Sequence, residues 1–147
     1  MKVKFTIPGE PQGKGRPRVE THKNGKVIGR TPERTVYYEN LVKTSYYQQC
    51  KRAQFDKGVP LDVRITAYFS IPASESKKKK KLMEANTIRP QKKPDTDNIV
   101  KICLDALNKI AYYDDAQVVD CQVRKFYSYT PRVVVTIQEA KVYSTEV

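Results

Sequence analysis

Six aspartates fall within a short stretch of this chain: Asp95, Asp97, Asp105, Asp114, Asp115 and Asp120. Only Lys101 and Lys109 stand among them, so the stretch carries a formal −4 and leaves +16 on the rest of a chain whose net charge is +12. Carboxylates are the hard oxygen ligands that magnesium takes. An ion held by them neutralises charge on a phosphodiester and activates water for its hydrolysis. The surrounding excess of Lys and Arg favours a polyanionic partner, of which nucleic acid is the usual one. A protein that only gripped phosphate would gain nothing by gathering acids in one place, whereas a nuclease gains a metal site.

The spacing adds detail. Asp95 and Asp97 are two apart; in an extended segment both leave the same side, about 6.6 Å apart along the backbone, and Pro94 stiffens the approach. Asp97 suits the N-cap of a helix reaching about Lys109. Lys101 and Asp105 follow it by four and eight residues and so share a helix face. From there Lys101 can position a phosphate or stabilise developing charge. Asp114 and Asp115 occupy the turn before the next strand. Taken singly, each has an ordinary explanation: a helix cap, an i,i+4 pair worth about a few tenths of a kcal/mol, a polar turn. Asp105, and then Asp120 inside a strand, fit a purely structural role best. Taken together on so basic a chain, the acids point to a metal site.

These residues need a scaffold, and periodicity supplies one. Val3, Phe5 and Ile7 alternate with polar residues, predicting a strand over residues 2–7. A basic, Gly/Pro-rich loop covers 8–32. Pro32 and Glu33 suit a helix start, and Tyr38, Leu41, Val42, Ser45, Gln49 and Ala53 give one face of a helix to about Gln54. Residues 61–71 alternate without a break. A basic, flexible loop spans 72–93, with one or two helical turns allowed near 82–85. After the acidic helix come strands over about 117–127 and 132–139. The order β-α-β-loop-α-β-β predicts one α+β domain over 1–147, with a mixed or largely antiparallel sheet packed by two main helices.

The run Lys93-Pro-Asp95-x-Asp97-Asn98-x-x-Lys101, followed by Asp105-Ala-Leu-Asn and Asp114-Asp115-Ala-Gln117-Val, resembles the core of the RusA family of Holliday junction resolvases, in order and in spacing, over about a fifth of the chain. Lys14-Gly-Arg-Pro-Arg18 after a strand ending in Pro8 resembles phage-borne members. The resemblance implies a RusA-like fold and a homodimer that nicks paired strands of a four-way DNA junction with magnesium or manganese. By motif match it gives metal-binding catalytic roles to Asp95, Asp97 and Asp115, and the essential lysine role to Lys101. Asp114 adjoins the matched aspartate and stays open as the alternative ligand.

The remaining basic residues divide by position. Lys14, Arg16 and Arg18 lie in a glycine-bearing loop that permits close approach to phosphate, and Lys93 and Lys101 flank the acids. Lys77, Lys78 and Lys79 belong to a lysine run read as a solvated loop that orders on DNA. Tyr37-Tyr38 and Tyr46-Tyr47 fit helix packing or a dimer interface. His22 is the sole histidine, which argues against histidine chemistry, and no P-loop is present. Cys50, Cys103 and Cys121 are odd in number without CxxC spacing, and no membrane-length apolar run or secretory leader is seen. Reduced thiols in a bacterial cytoplasm are the expectation, with the resemblance allowing a phage, prophage or host gene. Two other readings stay open: a nuclease of flaps or forks, and a non-catalytic DNA-binding protein, which would be indifferent to magnesium.

Overall fold

The computed structural model describes residues 1–144, apart from the side chain of Arg18. The strands are β1 (Lys2–Pro8), β2 (Arg18–Thr21), β3 (Val27–Arg30), β4 (Leu61–Ser70), β5 (Val118–Ser128) and β6 (Arg132–Glu139). The helices are α1 (Glu33–Cys50), α2 (Lys77–Glu84) and α3 (Thr96–Leu107). The main sheet runs β1-β6-β4-β5. β6 pairs antiparallel with both β1 and β4, and β4 pairs parallel with β5. Parallel neighbours need a long crossover, which here carries α2 and α3. The mixed α+β architecture expected from the sequence is the one found.

Period-two patterning decides what the sheet buries. Val3, Phe5 and Ile7 of β1, Val63, Ile65, Ala67 and Phe69 of β4, and Val133, Val135 and Ile137 of β6 all point into one core. α1 covers it with Tyr38, Val42 and Tyr46, and α3 with Ile99, Ile102, Cys103, Ala106 and Leu107, the i, i+3, i+4 pattern of an amphipathic helix. Tyr46 also donates its hydroxyl hydrogen to the carbonyl of Ala53. Gln49 is exposed rather than packed, but its amide bonds both the N–H (2.8 Å) and the C=O (2.7 Å) of Thr6, tying α1 to β1.

Four local expectations are corrected. α1 stops at Cys50 instead of about Gln54, because Lys51 adopts a left-handed φ of 60°. The loop over 8–32 contains the β2–β3 hairpin, closed by Asn24-Gly25, with Gly25 at φ 79° and the His22 N–H bonded to Lys26 O at 2.8 Å. The lysine run is not a flexible loop but the body of α2. Ser76 caps it by accepting from the Lys79 N–H at 3.3 Å, and buried Met83 anchors it. Asp97 is not the N-cap of α3: Asp95 holds that place, and Asp97 sits in the first turn. The cysteines are free, with Cys103 buried and Cys121 exposed. Among the described residues no helix is long and apolar enough to cross a membrane.

Candidate active site

α3 is the spine of the site. Its buried stripe fixes its rotation, so Asp97, Lys101 and Asp105, spaced by four, line up on the solvent side. Asp97 and Asp105 are thereby about 12 Å apart along the axis. The chain enters α3 through a cis Lys93–Pro94 bond. Asp95 occupies the N-cap position in an extended conformation, yet its carboxylate makes no capping hydrogen bond. Asp95 and Asp97 are both exposed.

Asp114 and Asp115, adjacent in sequence, differ in employment. Asp114 caps the short 3-10 turn Asp115–Gln117: its carboxylate accepts from the Ala116 N–H at 2.9 Å, while Gln117 Oε1 accepts from the Tyr113 and Asp114 N–H groups. That backbone bond, first, holds the Asp114 carboxyl below the ordinary aspartate range. Asp115 moves the other way. Desolvation raises its pKa first, then the Asp114 carboxylate beside it and the charge of Asp105; Lys101 only partly opposes them. The Tyr112 hydroxyl donates to Leu104 O at 2.6 Å and lies near enough to feel the charges of Asp115 and Asp105.

A second group of charges meets the helix from the N-terminal loop. Lys14 Nζ stands 3.3 Å from Asp105 and 3.2 Å from Glu39 of α1, and Lys101 Nζ reaches Asp105 at 3.8 Å. Burial alone would lower the Lys14 pKa; bonding and charge from Glu39, and then from Asp105, outweigh it and leave the pKa raised. The loop is clamped to bring this about. The Lys14 N–H donates to Asn98 O (3.1 Å) and the Gly15 N–H to Thr35 Oγ1 (3.0 Å). A Cβ on Gly13 would lie 2.9 Å from Pro94 Cβ and 3.0 Å from Asn98 Cβ, so only glycine fits. Lys14 thus turns inward to the acids, where the sequence suggested a DNA-contacting arm. Arg16, Lys77, Lys78, Lys79, Lys93 and Lys101 are exposed, and the Arg18 side chain lies outside the described residues.

Sequence reasoning missed Glu39 and Lys125. No spacing rule flags Glu39, which is one of several polar residues on α1. Lys125 left a signal, because it interrupts the inward series Val123, Lys125, Tyr127 of β5, opposite Ala67. Its ammonium donates to Lys92 O at 2.6 Å and lies 5.0 Å from the centre of the Phe69 ring, pinning the segment that leads to Asp95. Burial lowers its pKa, while the charge of Asp95 acts in the opposite sense. Asp120 pairs in register with Asp62 and so leaves the acidic strip for the far face of the sheet.

Among the described residues no three His, Cys, Asp or Glu side chains are grouped closely enough to hold a metal ion. The acids form a strip along α3 and the turn beyond it, not a closed cage. The donor set still suits a hard cation: every candidate is a carboxylate, and Asp115 crowds other acids with too little positive charge to balance them. Magnesium is commonly bound by one or two carboxylates, with water and substrate phosphate completing its shell.

Comparison with known proteins gives the family. The sequence profile of the family described as Endodeoxyribonuclease RusA matches residues 8–138. The chain therefore belongs to the RusA family of endodeoxyribonucleases, and it is an enzyme of that kind. It is 44% identical over 137 residues to the uncharacterized protein YqaN of Bacillus subtilis (strain 168), covering 93% of this chain and 96% of that one. It is 34% identical over 86 residues to the crossover junction endodeoxyribonuclease rusA of Lactococcus phage r1t, covering 58% of this chain and 59% of the phage protein.

Proposed function

We propose that this endonuclease is magnesium-dependent and resolves four-way DNA junctions, acting as a homodimer whose two acidic sites cut paired strands. The observation that carries the reading is the division of labour among the acids. Asp114 is consumed by a capping box and Asp105 by two lysines, while the side-chain carboxylates of Asp95, Asp97 and Asp115 are exposed and accept no hydrogen bond from a protein N–H among the described residues. On a chain of net charge +12, three such carboxylates are best understood as ligands for a cation that arrives with DNA.

Asp95, Asp97 and Asp115 would hold magnesium, or manganese in its place. The bound ion would supply charge neutralisation and water activation at the scissile phosphodiester. Lys101 has 61% of its side chain exposed and leans on Asp105, so it can swing toward a non-bridging phosphate oxygen without losing its tether. Asp105 is itself held by Lys14, and Lys14 by Glu39, which sets the orientation of that tether. Arg16, Arg18, Lys77, Lys78, Lys79 and Lys93 would meet flanking phosphates. The phage relative, described as a crossover junction endonuclease, supports the choice of substrate.

Incubation of the purified protein with labelled four-way, three-way and linear DNA, with magnesium and with chelator, tests the reading. Cleavage confined to magnesium and strongest on the four-way substrate is expected. Equal cutting in chelator, or equal cutting of all three substrates, contradicts it.

A further inference from the structure

The face of the sheet opposite α1 and α3 has no covering layer. Sheets with antiparallel pairing can leave one face to solvent. Here it carries a depression of 530 Å³ whose charged lining residues are all cations: Lys4 of β1, Arg64 of β4, Arg124 of β5 and Arg132 of β6. Register places two of them in one row. Lys4 pairs with Thr136, which pairs with Arg64, so the two cations are two strand spacings apart, about 9.6 Å. Arg124, opposite Thr66, stands on the edge strand two residues off that row, about 6.6 Å along the strand direction.

Two carboxylates share this face, Asp62 and its register partner Asp120, at the end near Arg64 and Arg124 and outside the depression. Arg64 reaches Asp62 at 3.6 Å, but Lys4 and Arg124 form no ion pair among the described residues. Arg132 is held in place, with its guanidinium 4.0 Å above the Tyr68 ring and Nη1 bonded to Ser128 Oγ (3.2 Å) and Thr130 O (2.8 Å). A fixed, ring-stacked arginine is organised for phosphate before any ligand arrives. The core of a subunit interface is depleted of charge, and this surface concentrates it. Several cations spread over one open face suit a rod bearing one negative charge per ~3.4 Å of each strand.

We propose that this open sheet face binds the sugar-phosphate backbone of a duplex arm of the DNA substrate, at a distance from the strand being cut. The inference rests on the reading of the protein as a nuclease of branched DNA. It adds a second contact surface, because the acidic strip on α3 lies across the sheet from these cations. One branched molecule can meet both faces with different arms.

The test is the triple variant Lys4→Ala, Arg64→Ala, Arg124→Ala, with the double variant Lys4→Ala, Arg124→Ala, which disturbs no ion pair, measured beside it. Binding of a labelled four-way junction is followed in chelator over a salt series, with thermal melting and sedimentation as checks on fold and mass. Each phosphate contact contributes about −0.9 to the slope of log K against log salt. The triple variant should therefore show a slope shallower by about 2.7 and the double by about 1.8, each with weaker junction binding at physiological salt. Wild-type slope and affinity in the double variant overturn the proposal. So does a changed sedimentation mass with an unchanged slope, which would make the face a subunit interface. A wild-type protein that binds through this face yet cuts no branched DNA in magnesium would instead sink the nuclease reading and leave the surface standing.

Discussion

Asp114 and Asp115 are neighbours of identical chemistry with opposite electrostatic fates, and the difference is testable one residue at a time. Asp114→Ala removes a cap, which should lower stability and the melting temperature by about a few degrees. Asp115→Asn should melt near wild type, or slightly above it, since it relieves repulsion with Asp105 and Asp114. Its cleavage rate should fall about a hundredfold or more, the usual loss when a group stabilising transition-state charge is removed. Thermal melts beside single-turnover cleavage separate the two effects. The raised pKa of Asp115 also sets a pH dependence. A carboxyl must lose its proton to hold a metal ion, so magnesium affinity should weaken on acidification sooner than for an ordinary aspartate. Metal titrations from pH 7 downward should show that early loss in the wild type and a flatter profile in Asp115→Asn. That this segment was acidic and chemical was legible in residue types alone. Which aspartate caps and which is spare was not, because capping is a property of backbone geometry. Glu39 was hidden for a similar reason: its importance comes from a partner 25 positions away.

At the scale of elements, strict alternation made β1, β4 and β6 readable, and a five-residue apolar stripe made α3 readable. The hairpin β2–β3 escaped because it buries nothing, although Asn24-Gly25 between Val19 and Val27 is a recognised hairpin signal. α2 escaped because five successive lysines suggest mutual repulsion; a serine cap, the Lys79–Glu75 pair at 3.9 Å and one buried methionine are enough to order it. The Gly13-Lys14-Gly15 loop, read as an arm, is an inward clamp. Gly13→Ala would force a methyl group within 2.9 Å of Pro94. Crowding of that kind typically costs about 1–3 kcal/mol. Because the same loop delivers Lys14 to Asp105, cleavage should fall along with stability, whereas Gly25→Ala in the exposed hairpin should leave cleavage unchanged. Melting curves and junction cutting by the two variants check this.

On the scale of the whole molecule, the organising fact is charge of two signs held apart. A basic shell favours DNA at long range, and one acidic strip stands where, on the proposed reading, an ion would come between protein and phosphate. On the proposed reading binding and cutting are separable: the shell would work without metal, while the strip would not. Asp97 offers the sharpest separation, since its side chain is exposed in the first turn of α3 and takes part in no described ion pair or hydrogen bond, so its substitution should leave the fold intact. The decisive measurement compares wild type and Asp97→Asn on one labelled four-way junction in magnesium, recording binding and cutting from the same samples. Equal binding with cutting abolished in the variant is the predicted result. Cutting by Asp97→Asn at the wild-type rate would contradict the account.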